Sequence, residues 1–273
     1  MRKALVAGIL GLGLMAGCGT TYAIPTAADL EISTATQMFE EARRNKVRTI
    51  LPTSAAQKRF FRVMQRVKPV GKKVCEEVTV DLEDFICDVD IQIDTKMSVR
   101  NAYFTYIDDA PVIRMSMPLL KDTESDDEVA FVMSHEFGHL IGRHIDKQKK
   151  QALTGAIILG AITAYGNAYA ASAGQYYDPN DVTRSMELGA AAGSKAYSQT
   201  YELESDTLGT YIAQLAGYDP VNGAKFFARP EDVRTRAGNL SFWGTHPPNE
   251  KRLATVIATV NLLEKNGGRL KLK

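Results

Sequence analysis

The sequence predicts an α+β domain, mainly helical, with a small mixed β-sheet. Segments around 78–93, 102–107 and 112–117 alternate or run β-branched and aromatic between Asp-rich and Pro-containing turns, which reads as three or four strands. The segments from about 28 to 67, from 126 onward, from 198 to 217 and from about 248 to 265 carry apolar residues at helical spacing. Ser125-Asp126-Asp127-Glu128 is a capping box that opens a helix directly after the last strand. With 273 residues, 45% apolar and 24% charged, the chain has ordinary globular composition. Its 33 basic residues against 32 acidic ones leave a net charge of +1. That balance shows no basic excess, so nothing points to nucleic acid or to electrostatic capture by anionic lipid.

At the N-terminus, Arg2 and Lys3 precede an uncharged stretch from Ala4 to Gly17, the pattern of a secretory signal. The stretch is too short for an ordinary membrane span. It ends in Leu14-Met15-Ala16-Gly17-Cys18, which resembles the bacterial lipobox; the resemblance implies lipidation of Cys18 as the mature N-terminus. Gly19 stands where inner-membrane lipoproteins carry aspartate, which implies the periplasmic side of the outer membrane. The expected organisation is a signal peptide over 1–17, a lipid-anchored tether over 18–28 and one domain over 29–273.

The first helical region breaks at Pro52, and Phe60, Val63, Met64 and Val67 make one apolar stripe beyond it. Val78, Val80 and Leu82 then read as a strand, followed by Phe85 to Ile93 as a second. Cys75 and Cys87 would lie on these neighbouring elements. In an oxidising compartment they can pair as a disulfide, and equally Cys87 can be a small core residue in the alternation Phe85, Cys87, Val89, Ile91, Ile93.

The helix opened by the capping box carries His135-Glu136-Phe137-Gly138-His139. Histidines four residues apart present both imidazoles on one helix face, a spacing that suits two ligands of one Zn2+ ion. Glu136, beside the first, is placed to act as catalytic base toward a water made acidic by the metal. A catalytic zinc takes three protein ligands. His144 suggests the metzincin pattern at first, but it comes one residue too early, and Ile145 occupies the ligand position. Glu202 and Asp206, four apart on a later helix, suit better: Glu202 as third ligand and Asp206 orienting a histidine through its free ring nitrogen. That is the gluzincin arrangement. The competing reading makes Glu202, Glu204 and Asp206 a solvated acidic face.

Between the two halves of this pattern, Ala152 to Gly174 lacks any charged residue and is long enough to span a bilayer. Its Gly, Ala, Thr, Asn and Tyr content makes it only weakly apolar. A single crossing would also separate Glu202 from His135 and His139. The expectation is therefore a small-residue helix packed in the protein or an adaptable flap.

Asn101-Ala102-Tyr103, Val112 to Leu120, Asp127 through His144, Ser198 through Asp206, and Thr245-His246-Pro247 with Arg252 together resemble metallopeptidase family forty-eight, and within it a branch of periplasmic lipoproteins. The resemblance implies one zinc per chain on His135, His139 and Glu202, Glu136 as catalytic base, and Asp206 behind a ligand. It puts His246 near the metal, as oxyanion stabiliser or as a latch in the open coordination position. Ser205 replaces the usual alanine, and Met117-Pro118 replaces a Gly-containing turn. Implied substrates are unfolded or misassembled envelope proteins, with outer-membrane assembly machinery as a further partner and the membrane reached through the N-terminal lipid alone. Val112 to Met117, preceding the active-site helix, is the expected edge strand for an extended peptide.

Overall fold

The computed structural model describes residues 19–44, 49–195, 198–229, 242–246 and 250–270. The expected signal peptide and Cys18 lie outside the described residues. In order, the elements are α1 (Asp29–Arg44), α2 (Thr53–Val78), β1 (Asp90–Asp94), β2 (Ala102–Ile107), β3 (Ala110–Ser116), α3 (Met117–Asp122), α4 (Asp126–Ile141), α5 (His144–Ser172), α6 (Asp181–Lys195), α7 (Ser198–Leu215), α8 (Pro220–Ala224), a 3-10 turn (Lys225–Ala228), α9 (Phe242–Thr245) and α10 (Glu250–Lys265). This is the mainly helical α+β architecture with a small mixed sheet that the sequence predicts. Among the described residues two units separate, one within 21–142 and 201–270, the other within 19–20 and 143–200.

In the larger unit, α1 has Asp29 and Glu31 in its first turn and Arg43 and Arg44 in its last, both favourable to the helix dipole. Helix α2 starts behind Pro52 and buries Ala56, Phe60, Val63, Val67, Gly71, Val74 and Cys75. The same three-and-four spacing that begins at Phe60 carries the helix on to Val78, so the expected strand over Val78, Val80 and Leu82 is not there. Local β-branched preference yields to a continuous buried stripe. Cys75 therefore sits in a helix and Cys87 in the segment leading to β1, not on neighbouring strands. The two are joined by a disulfide across a separation of 12 residues.

The sheet has three strands in the order β1-β3-β2. β1 runs parallel to β3, Asp90 opposite Val112, and β2 runs antiparallel, Ala102 opposite Met115. Asp108 and Asp109, both with positive φ of 50° and 61°, form the two-residue hairpin between β2 and β3. β3 is thus the central strand with both sides paired, and the expected edge strand at Val112 to Met117 is corrected: the edge strands are β1 and β2.

Met117-Pro118 opens the short helix α3, where Ser116 Oγ accepts from the Leu119 amide at 3.3 Å and Pro118 falls in the first turn. At α4, Ser125 Oγ accepts from the Glu128 amide at 3.2 Å as the capping box predicts. The reciprocal bond reaches one residue further back, from the Glu124 amide to Glu128 Oε2 at 2.7 Å. Beyond its first two residues α4 is buried on every side except at His139. It is the core helix of this unit, so its side chains are held on all faces.

Arg143, in the left-handed conformation at φ 53°, ends α4 and starts α5. In the smaller unit α5 and α6 pack as an antiparallel pair. A methyl group on Gly155 would lie 2.0 Å from the Gly189 carbonyl oxygen, and one on Gly193 2.1 Å from that of Gln151. The small residues of the uncharged stretch thus serve close helix packing, while Leu153, Ile157, Ile162, Tyr165 and Tyr169 stay exposed. Among the described residues no helix is long and apolar enough to cross a membrane.

Candidate metal centre

His135 and His139 come from α4, and Glu202 from α7. Two glycines let these helices approach. A Cβ on Gly138 would stand 2.7 Å from the Ser205 Cα, and a Cβ on Gly209 2.9 Å from the His135 backbone nitrogen. Any larger residue would push α7 away and separate Glu202 from the histidines. Ser205, in the usual alanine position, is fully buried at this crossing, and its backbone makes the contact.

His135, His139, Glu202 and His246 each bring a ligand atom to one place, all within 4.8 Å of one another. His135 Nε2 is 3.0 Å from His139 Nε2 and 3.4 Å from Glu202 Oε2, and His139 Nε2 is 3.4 Å from Glu202 Oε1. A tetrahedral ion with ligand bonds of about 2.0–2.1 Å holds its donors roughly 3.3 Å apart, so these spacings fit one. His246 Nδ1 lies 3.3 Å from His135 Nε2 and 3.0 Å from Glu202 Oε2, which makes it a fourth donor of the same group. His144 begins α5 and is not among the four residues.

Behind the histidines, His135 Nδ1 donates to Asp206 Oδ1 at 2.9 Å. That bond fixes the tautomer and leaves the Nε2 lone pair facing the cluster. Arg252, fully buried on α10, donates from Nε and Nη2 to the two oxygens of Asp206, places Nη1 3.0 Å from Glu202 Oε2, and stacks 4.0 Å above the Phe227 ring. The sequence pattern assigns Arg252 no role. Standing six positions after His246, it has no local spacing that would reveal one.

Glu202 and Asp206 thus leave the solvated-face reading behind; both are buried. Burial alone would raise the Glu202 carboxyl, but the charges of His246 and Arg252 hold it well below the usual carboxylate range. For His135, burial disfavours the charged ring, and hydrogen bonds to Asp206 and Glu202 outweigh it, lifting its pKa to about 9. A field that holds a proton on imidazole also favours a divalent cation in its place.

Glu136 is fully buried, and burial pushes its carboxyl above the ordinary range against the opposing charges of His246 and His135. Its oxygens complete no hydrogen bond among the described residues, and His246 Nε2 is 3.5 Å away. The backbone of Phe104 on β2 faces it. In the β2–β3 ladder, Asn101 accepts from the Ser116 amide, so by alternation the backbone groups of Ala102, Phe104 and Tyr106 point away from β3. A buried carboxyl with unfilled hydrogen-bonding capacity, beside four converging donors, is the arrangement a water-activating base requires.

Residues 62–260 match the family model described as Peptidase family M48. The chain belongs to peptidase family M48. Among curated members, it is 27% identical over 152 residues to the Beta-barrel assembly-enhancing protease of Escherichia coli (strain K12), covering 50% of this chain and 28% of the relative. It is 29% identical over 148 residues to the Mitochondrial metalloendopeptidase OMA1 of Arabidopsis thaliana, covering 54% of this chain and 27% of that one. The match thus spans little more than a quarter of either relative. Membership in a peptidase family and a His/His/Glu group with the geometry to hold a metal agree on a metallopeptidase.

Proposed function

We propose that this protein is a zinc-dependent endopeptidase that degrades misfolded or misassembled cell-envelope proteins, lipid-anchored at Cys18 on the periplasmic side of the outer membrane. The observation that carries the reading is the convergence of His135, His139 and Glu202 on one place, with Glu136 buried next to His135 in sequence and neither of its oxygens hydrogen-bonded among the described residues. Two imidazoles and one carboxylate match the preference of a catalytic zinc site. Zinc, when bound, supplies Lewis acidity and lowers the pKa of a water toward about 7.

The protein's own groups do the rest. His135, held by Asp206, and His139 present neutral nitrogens, and Glu202 presents a carboxylate kept ionised by Arg252. Glu136 takes the proton of the attacking water and returns it to the leaving amine; its raised pKa suits both transfers. The outward-facing backbone of Ala102, Phe104 and Tyr106 lets an extended client add as a fourth strand to β2, with main-chain hydrogen bonds and little sequence preference.

His246 favours a second aspect of the same reading. With Nδ1 at 3.0 Å from Glu202 and 3.3 Å from His135, it is placed where it could take the coordination position of a water, which supports a latch. A latent peptidase that also assists outer-membrane protein assembly is in line with the name of the bacterial relative.

Metal analysis of the purified protein with casein cleavage tests this. One zinc per chain is expected in wild type and in Glu136→Gln, with cleavage lost by about 10²–10⁴-fold in the variant. Equal cleavage by both proteins, or wild type without metal, overturns the proposal. Full cellular function in Glu136→Gln would favour the assembly role over proteolysis.

A further inference from the structure

Arg229 follows the 3-10 turn Lys225–Ala228 and is buried. Its Nη1 donates to the Asp122 carbonyl at the end of α3 at 2.8 Å. Its Nη2 donates to Glu128 in the first turn of α4 and lies 3.1 Å from Glu124 Oε2. Glu128 is buried as well, so losing one partner of this pair would leave the other charge uncompensated. Held in this way, the guanidinium places its Cζ 5.1 Å from the centre of the Phe226 ring.

From Phe226 a column of rings leads to the metal centre. Phe226 and Phe227 both meet Phe242, at 5.7 Å and 5.3 Å between ring centres, the second pair inclined by only 23°. Phe242 lies 4.7 Å from the His246 ring, and Phe227 stands edge-on to the His135 ring at 5.5 Å. Phe226, Phe227, Phe242 and His246 are all buried. The backbone follows the same route: the Phe242 amide donates to the Arg100 carbonyl at 2.7 Å, and Arg100 Nε stands 3.6 Å from Asp122 Oδ2. Asp122 thus meets Arg229 through its carbonyl and Arg100 through its carboxylate. Rings packed without gaps pass on a displacement, because each one that shifts would otherwise forfeit its contacts.

We propose that Arg229, held by Glu128, is a positioning residue for His246: through Phe226, Phe227 and Phe242 it seats the imidazole beside Glu202 and His135, and so sets how firmly the latch is held. The partners of Arg229 among the described residues are carboxylates, a carbonyl and a ring, none of them a metal donor. Its consequence for cleavage rests on the latch reading given above; the seating of the ring does not.

The test uses the full chain saturated with zinc. Wild type, Arg229→Gln, Arg229→Lys, Phe226→Leu, His246→Ala and the double variant of Arg229→Gln with His246→Ala are compared. Casein cleavage, zinc affinity by chelator competition and the ring-proton resonances of carbon-13-labelled histidine are measured. The chain has four histidines, and His246→Ala assigns the resonance of interest. In Arg229→Gln the His246 resonance should move as the ring current of Phe242 changes, zinc should bind several-fold more weakly, and cleavage should rise several-fold. Arg229→Lys, which keeps a charge beside Glu128, should stay closer to wild type on all three. In the double variant Arg229→Gln should add little to the effect of His246→Ala on cleavage and zinc affinity, because residues acting through one contact are not additive. Phe226→Leu breaks the column and leaves the ion pair and the Phe242 contact with His246 in place, so it decides the matter where Arg229→Gln does not fold. An unmoved His246 resonance in whichever of these two variants folds overturns the proposal, as does a fully additive effect in the double variant. Cleavage unchanged by His246→Ala would instead sink the latch reading, and a moved resonance in Arg229→Gln or Phe226→Leu would still uphold the seating.

Discussion

Arg252 and Asp206 form a doubly hydrogen-bonded ion pair, Nε to Oδ2 and Nη2 to Oδ1, each at 2.7 Å. The same guanidinium reaches Glu202 and the His246 carbonyl, so one side chain ties together two carboxylates and the backbone of the histidine facing them. Arg252→Lys keeps the charge and loses the fork. Zinc affinity should fall about tenfold, and Asp206→Asn should cost about 10–100-fold. Competition with a chelator measures both; affinities equal to wild type would show that the pair does not support the ligands.

Gly138→Ala puts a methyl group against the Ser205 backbone, which cannot move without α7. Overpacking of this kind costs about 1–3 kcal/mol. Because the displacement carries Glu202 away from His135, zinc affinity should drop together with the melting temperature. A variant that melts lower yet binds zinc as tightly would separate the helix crossing from the metal site.

His246→Ala removes the fourth donor and opens its place to water. Casein cleavage should rise several-fold while zinc binds more weakly, since three ligands replace four. A fall in cleavage at full zinc occupancy would assign His246 to oxyanion stabilisation instead.

Asp126, the first residue of α4, pairs with Arg62 through both oxygens at 2.7 Å and with Arg59 at 3.2 Å. The hydrogen bonds from Arg62 lower its pKa, against partial burial. A folded pKa below the unfolded one means that Asp126 stabilises the fold above the unfolded value and loses that contribution as pH falls through the folded one. Asp126→Asn should therefore lower the unfolding free energy by about 1 kcal/mol at pH 7 and by less at pH 2, as read from urea titrations at the two pH values. An equal deficit at both would mean that the ion pair is not its source.

Local chemistry made much of this molecule legible. The capping box marked the start of α4 at Asp126, the four-residue spacings grouped His135 with His139 and Glu202 with Asp206, and the break at Pro52 marked the start of α2. Where the sequence reading failed, a longer-range effect prevailed. Helix α2, held by a buried stripe that reaches Cys75, ran on to Val78, whose own preference is for strand, and β3 became central because β1 returned alongside it in parallel, a pairing no local pattern encodes.

By itself, then, the sequence determined the helix starts, the residue types able to hold a metal, and their pairing by periodicity, because these depend on neighbours within one or two turns. Only the tertiary structure decided which donors meet. It brought His246 into the same cluster 111 positions from His135 and put Arg252 behind Asp206. These relations depend on the crossing of α4 and α7 at Gly138 and Gly209, a steric condition that exists only once both helices are packed.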